Sequence, residues 1–313
     1  MTQEQEPPPT VPQAVGLALA AAFLWATSFV WIKQGLEEIP PITFASLRYL
    51  IGAVALAVYR LARPTRKVTI TPSAGRTMTA LGLLLYAVVP ALLFLGLDLV
   101  EAVSFNFVFQ AGIPLVLAFT AGTLLHEPTS RWEFVGVVVV VAGIYVFFPA
   151  LPTGSEAAGL LLAAGAAVGI GVSNLLQRRL MRDGAVFSID ATLVPMAVGS
   201  IALLGVALIV ETFPPLTVRS LSLLLLLGIV NTAVAFTLWH RAMKTLNALH
   251  AGVIATTQLV EVALLAWLFL GEDLTIGRIT GSVIVIGGIV IVHVSKAKAA
   301  RGVGLDVPLV IEA

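Results

Sequence analysis

The sequence predicts an all-α integral membrane protein with ten transmembrane helices in two inverted five-helix repeats. Three observations carry that expectation. First, the 313 residues are 58% hydrophobic and 11% charged, with a mean hydropathy of +1.01. An ordinary soluble domain is about 25% charged, so this chain lacks the polar side chains to cover a water-facing surface. Second, ten segments reach the roughly 20 mostly apolar residues that a helix needs to cross hydrocarbon. Third, the two halves of the chain resemble each other at a fixed spacing.

The elements follow in order. Residues 1–13, "MTQEQEPPPTVPQ", are acidic and proline-rich and lack the basic opening of a signal peptide. They read as a disordered cytoplasmic lead-in to an uncleaved first span. The first five-helix repeat, 14–149, holds spans at 14–34, 41–60, 78–97, 102–124 and 132–149. A periplasmic linker, 150–156, leads into the second repeat, 157–295, with spans at 157–177, 187–210, 219–240, 248–270 and 277–295. Residues 296–313 form a cytoplasmic tail. The joints ("EEIPP", "ARPTRK", "HEPTSR", "PALPTGSE", "RRLMRDG", "ETFPP", "GEDLT") are short and leave no room for a soluble domain, so function must reside among the spans.

Lys and Arg set the orientation, because they gather on the cytoplasmic side of membrane proteins. With the N-terminus inside, the inner joints hold Arg60, Arg63, Arg66, Lys67, Arg76, Arg131, Arg178, Arg179, Arg182, Arg241, Lys244, Lys296, Lys298 and Arg301. The outer joints hold Lys33, Arg219 and Arg278, and Arg48 alone lies within a span. Both termini are therefore expected in the cytoplasm of a bacterial-type inner membrane. The repeat is carried by "LLHEPTSRWEFVGVVVVVAGIYVF" against "FLGEDLTIGRITGSVIVIGGIVIV". Glu127 and Glu272, Gly136 and Gly281, Gly143 and Gly288, and Ser28 and Ser173 all keep an offset of 145. Five crossings per copy is an odd number, so the second copy enters from the opposite side, as in many alternating-access carriers.

Composition also narrows the chemistry. A net charge of +1 gives no broad basic face for nucleic acid, and the absence of cysteine removes disulfides, thiolate metal sites and thiol nucleophiles. No G-x-x-x-x-G-K-[ST], G-x-S-x-G or H-E-x-x-H occurs. The expectation is therefore a non-enzyme with no cofactor and no metal. His126, His240, His250 and His293 fall at inner span ends, too scattered for a ligand set. The expected partners are the lipid bilayer and a small-molecule substrate, with the chain acting as a monomer. A channel or uniporter for the same solutes is the alternative, and a membrane-embedded enzyme a more distant one.

The layout resembles the drug/metabolite transporter superfamily in its EamA-type ten-span branch, and within it the YddG-like exporters of amino acids and toxic cations. The resemblance spans about residues 14–295. It rests on the helix end from Pro114 to Glu127, on "GEDLT…GRITGSVIVIGGIVIV", and on "FASLRYLIGAVAL" with its second-helix arginine. It implies a secondary transporter that exports small metabolites by alternating access around a central cavity. Helices 1, 3, 4, 6, 8 and 9 would line that cavity, with 5 and 10 more peripheral. The second copy departs from the pattern by placing Leu259 where proline is common, with Glu261 two positions on.

An ionised side chain at mid-span costs about 2.5–3.5 kcal/mol on the insertion scale, so each one asks for a reason. Glu261 shares a helical face with Thr257, Gln258 and His250. It reads either as a cavity carboxylate that holds a substrate ammonium or coupling proton, or as a tie to Arg48 or to a neighbouring backbone. Arg48 reads as a structural charge: it belongs to the resemblance's framework, and Leu193 stands at its repeat offset. Asn106 and Gln110 lie one turn apart beside aromatics, and Ser173 and Asn174 repeat the theme on helix six, with Gln177 nearer the interface. Trp25 with Ser28 on helix one, Tyr86 on helix three, and Asn231 with Trp239 on helix eight complete the set of polar and aromatic faces. Substrate contact is expected of Trp25, Ser28, Tyr86, Asn106, Gln110, Ser173, Asn174, Asn231, Thr257, Gln258 and Glu261. Packing between helices accounts for the amides equally well. Trp31, Trp132 and Trp239 read as interfacial anchors. Pro90, Pro114 and Pro195 lie inside spans and free backbone carbonyls there.

Overall fold

The computed structural model describes residues 8–62, 72–124, 130–182, 190–246 and 248–302. These residues form ten helices and no strand: α1 (Val11–Gly35), α2 (Pro41–Ala62), α3 (Pro72–Leu99), α4 (Ala102–Leu124), α5 (Arg131–Phe147), α6 (Gly154–Arg182), α7 (Asp190–Val210), α8 (Val218–Met243), α9 (Ala248–Leu270) and α10 (Ile276–Gly302). Eight are long and apolar enough to cross a membrane by length and composition. In α4 the apolar stretch so described is Ala102–Val116, and α5 has 17 residues, the lower end for a crossing. Arg63, Arg66, Lys67, His126 and Glu127 lie outside the described residues, as do the tail from 303 onward and the first seven residues.

Helix ends differ from the expected limits where local chemistry extends them. Thr10 donates its backbone N–H to Gln13 Oε1 (3.0 Å) and its carbonyl accepts from Ala14, so α1 begins at Val11 inside the expected lead-in. Pro72 opens α3 earlier than expected, because proline's fixed φ suits a first helical position. The basic run beyond Ser295 continues α10 to Gly302. At the start of α2 the free Ile42 and Thr43 N–H groups donate to the Glu211 carboxylate at 2.9 and 2.7 Å, and the Thr43 hydroxyl joins them at 2.8 Å. A carboxylate there also complements the positive end of the helix dipole. Thr217 and Ser220 form a reciprocal capping box at the start of α8.

The described chain forms two compact units that do not follow the repeats. Unit 1 holds Met1–Thr27, Pro114–Leu151 and Val234–Ala313; unit 2 holds Ser28–Ile113 and Pro152–Ala233. Each takes helices from both halves of the sequence. In unit 1, α5 packs along α10 through glycines. A Cβ on Gly136 would come within 2.8 Å of the Gly288 carbonyl, and one on Gly288 within 2.8 Å of the Gly136 carbonyl. Gly143 and Gly281 oppose each other in the same way, at 2.9 and 2.8 Å. The partners of Gly136 and Gly143 run in reverse order along α10, so these equivalent helices are antiparallel. Each contact is also repeated with the roles exchanged. That is a two-fold axis across the helices, the signature of an inverted repeat.

Unit 2 shows the same symmetry in other helices. Gly52 on α2 faces the Gly228 carbonyl and Thr232 on α8; Gly199 on α7 faces the Gly82 carbonyl and Tyr86 on α3. A Cβ on Gly228 would meet the Arg48 carbonyl, and one on Gly82 the Pro195 carbonyl. The packing therefore pairs Gly52 with Gly199, Gly82 with Gly228, Tyr86 with Thr232, and Arg48 with Pro195. The offset lengthens to 146 or 147 in these helices, which corrects Leu193 to Pro195 as the counterpart of Arg48. Both α3 and α8 carry a π-helical segment at equivalent places, Leu84–Val88 and Leu226–Val234. In the first, Pro90 has no N–H for the Tyr86 carbonyl, and Val89 bonds back to Leu84 instead. In the second no proline intervenes, and the Thr232 hydroxyl donates to the Leu227 carbonyl five residues back, at 2.8 Å.

Candidate functional site

Unit 2 centres on Arg48, which is 5% exposed. The α2 helix carries it, and α8 and α1 supply its hydrogen-bond partners. Its Nε donates to Thr232 Oγ1 on α8 (3.2 Å) and its Nη2 donates to Ser28 Oγ on α1 (3.1 Å). The guanidinium carbon lies 5.3 Å from the centroid of the Tyr49 ring, and Tyr49 in turn meets Tyr86 of α3 edge-on, with centroids 5.6 Å apart. Hydroxyls and a ring face can orient a cation but do not neutralise it. Among the described residues Arg48 forms no ion pair.

The repeat supplies an internal comparison. Ser173 keeps the offset of Ser28, yet its hydroxyl donates to the Gly169 carbonyl of its own helix at 2.8 Å. The symmetric position offers it Pro195 and Tyr86 in place of Arg48 and Thr232. Tyr86 and Asn231 both sit in π-helical segments and are both buried, at 3% and 1% exposure. Helical segments of this kind concentrate at functional sites. Asn106 and Gln110 are buried in α4, beside Phe105, which meets Phe29 at 6.4 Å and stacks with Phe109 at 6.2 Å. The Ser104 hydroxyl oxygen is buried there with no hydrogen-bond partner among the described residues. Asn174 is half-buried on α6.

Unit 1 holds Glu261, midway along α9. Glu261 shares the Thr257 hydroxyl with the Ile254 carbonyl, which that hydroxyl reaches at 2.8 Å. Its Oε2 is buried with no hydrogen-bond partner, and among the described residues Glu261 has no ion pair. Gln258, one turn back on the same face, is buried. Leaving a buried carboxylate oxygen unsatisfied costs more than the roughly 1–3 kcal/mol of a neutral group, so packing alone gives no reason for it. Trp25 joins the other half of this unit. It meets Phe236 edge-on at 5.4 Å and Trp239 at 5.2 Å, and Phe236 stacks on His240 at 6.1 Å. Trp239 is half-buried and packs on Trp25, whereas Trp132 is 56% exposed. His293 Nδ1 donates to the Ile289 carbonyl (2.9 Å), and its ring packs against Gly252.

The structure divides two pairs that share a helical face in the sequence. Trp25 and Ser28 fall in different units, as do Asn231 and Trp239, and so do Arg48 and Glu261. Three residues that sequence reasoning passed over take part locally: Thr232, Phe236 and Glu211. Thr232 follows Asn231 and keeps nearly the repeat offset of Tyr86, a signal that was present once the offset was allowed to drift by one.

Comparison with known proteins yields a consistent set of similarities. The family model described as the EamA-like transporter family matches twice, over residues 13–148 and 157–294. A protein of Salmonella typhimurium named "Probable amino-acid metabolite efflux pump" is 25% identical over 286 residues, covering 88% of this chain and 93% of its own length. An Escherichia coli protein of the same name is 25% identical over 287 residues, with the same coverage of each chain. The uncharacterized transporter YoaV of Bacillus subtilis is 24% identical over 276 residues, 87% of this chain and 93% of that one. A solved crystal structure superposes with a TM-score of 0.66 at 18% identity, over 93% of this chain and 98% of its own, and so shares the fold.

Proposed function

The chain belongs to the EamA-like transporter family, and from that premise we propose that it exports small polar metabolites, amino acids foremost, by alternating access. It is a multi-pass membrane transporter; the inner membrane, cytoplasmic termini and monomeric action are part of the proposal. The observation that carries it is Glu261, the one acidic side chain of α9, whose Oε2 is buried without a hydrogen-bond partner among the described residues. A carboxylate so placed can hold the ammonium group of an amino acid or exchange a proton in its stead. Either use supplies the compensating charge that the fold leaves out. The names of the Salmonella and E. coli relatives support efflux as the direction. The repeat supports a mechanism in which two symmetry-related arrangements open to opposite sides.

The test is counterflow of labelled amino acids into proteoliposomes holding the purified protein. Saturable exchange in the wild type, reduced at least about tenfold in Glu261→Gln at unchanged folding yield, is the expected result. Flux that does not saturate and shows no exchange would refute the carrier and leave a channel. Wild-type kinetics in Glu261→Gln would remove that residue from the mechanism.

A further inference from the structure

We propose that Arg48 is an anion-binding residue of unit 2, which takes the carboxylate of the transported metabolite on the guanidinium edge its protein partners leave open. The inference deepens the proposed function and rests on it for the substrate.

The first ground is hydrogen-bond capacity. A guanidinium has five N–H donors and no acceptor. Arg48 spends one at Nε on Thr232 and one at Nη2 on Ser28, and the rest meet no acceptor among the described residues. Both acceptors are neutral hydroxyls. The Thr232 hydroxyl is itself fixed in orientation, because it donates to the Leu227 carbonyl while accepting from Nε. The planar fork is therefore held from one side, with Tyr49 against its face. A rigid fork with a free edge is the geometry that recognises carboxylate by two parallel hydrogen bonds.

The second ground is that the fold does not need this charge. The same helix crossing occurs twice in unit 2. One copy is built from Gly52, Gly228, Thr232 and Arg48, the other from Gly199, Gly82, Tyr86 and Pro195. In the second copy a proline occupies the arginine's place, Ser173 turns to its own backbone, and the glycine contacts are as close as in the first. If the guanidinium were there to hold the crossing together, its absence from the symmetric copy would be paid in looser packing. A cation kept in only one of two equivalent crossings, without an acid beside it, is placed for an anion that comes and goes.

The third ground is chemical class. Two hydroxyls, from Ser28 and Thr232, and the Tyr49 ring meet the fork, Tyr86 packs on Tyr49 behind it, and none of these described neighbours is a cation. One positive charge suits a monoanionic carboxylate better than a phosphate dianion, for which sites commonly gather several cations.

The experiment measures ligand-induced thermal stabilisation of the purified full-length protein by a panel of free amino acids, each beside its α-carboxamide, which keeps the ammonium and side chain but removes the anion. We expect at least one acid to bind about tenfold or more tightly than its amide in the wild type. That preference should fall in Arg48→Lys, which keeps the charge but not the fork, and vanish in Arg48→Gln. Sodium chloride and phosphate serve as inorganic competitors: displacement by phosphate in preference to carboxylates would overturn the assigned class. Wild-type protein that never prefers an acid to its amide overturns the proposal without any variant. So does an acid preference that survives in Arg48→Lys, a variant that decides the matter even if Arg48→Gln fails to fold. Acid-selective binding in a protein that catalyses no exchange would sink the transport reading alone; exchange that is indifferent to the carboxylate would sink this one alone.

Discussion

Two neighbouring glycines on α10 provide a test of the inverted-repeat packing within a single turn. Gly288 faces α5, where a Cβ would lie 2.8 Å from the Gly136 carbonyl oxygen, 2.8 Å from Val140 Cγ2 and 2.9 Å from the Val140 nitrogen. Two of those three atoms are backbone, so relief requires the helices to part rather than a side chain to turn. Overpacking of this sort costs about 1–3 kcal/mol. Gly287 has nothing within 4 Å of the same position and lies on an exposed face. There alanine gains helical preference, worth about 0.5–1 kcal/mol. The same gain applies at Gly288, so the net change at that site is a loss of about 0–2.5 kcal/mol and the two variants should differ by the overpacking cost alone, about 2 kcal/mol. Reversible unfolding in mixed micelles titrated with a denaturing detergent measures this directly, with Gly287→Ala as the matched control. Equal stability of Gly287→Ala and Gly288→Ala would refute the close antiparallel contact, and with it the two-fold relation drawn from it. Because the contacts are reciprocal, Gly136→Ala should match Gly288→Ala.

Two further outcomes are expected. Glu211→Gln should lower stability by about 2 kcal/mol, since it replaces an anion that accepts three hydrogen bonds at the start of α2 with a neutral amide; an effect under about 0.5 kcal/mol in the same unfolding assay would show that water caps the helix equally well. Asn106→Ala combined with Gln110→Ala should change the rank order of exported amino acids in a competition assay, and an unaltered order with lowered stability would assign both amides to packing.

How much of this was legible in the sequence depended on the distance over which each feature is determined. Helices were, because hydropathy over a window of about 20 residues is a local property. The offset matched Gly136 to Gly281 and Gly143 to Gly288 as equivalents, but the contacts, Gly136 with Gly288 and Gly143 with Gly281, are visible only in the packed helices. The cap on α2 was not legible: Glu211 stands 168 or 169 residues from the N–H groups it accepts from, and nothing near either end marks the other. The π-helical segment at Leu84–Val88 has Pro90 as a local signal, whereas the one at Leu226–Val234 has no breaker, and only its symmetry with the first announces it. The counterpart of Arg48 was misplaced for a related reason. The offset of 145 holds where Ser28 and Ser173 lie, but connections of unequal length shift it by one or two in the helices that follow, so Pro195 rather than Leu193 takes the matching place. Site residues were harder still. A shared helical face fixes neighbours along one helix, yet the units divide α1 between Thr27 and Ser28 and α8 between Ala233 and Val234. The face that joins Trp25 to Ser28 is therefore real as geometry and does not make them parts of one local cluster.

The symmetry gives the two charged residues a further meaning. A carrier whose side chains repeated as faithfully as its backbone would have inward- and outward-open arrangements of equal energy, because the two-fold axis exchanges them. Neither charge repeats. Arg48 stands in the first copy with Pro195 opposite, and Glu261 stands in the second with Val116 at its offset of 145. Each glycine contact that does repeat is a packing contact, indifferent to which side is open. The charges are thus the elements that can make one arrangement differ from the other, and a bound solute acts on that difference only through groups it contacts unequally in the two states. The glycine contacts repeat and these two charges do not, so under the proposed carrier reading Arg48 and Glu261 are where the two arrangements would differ.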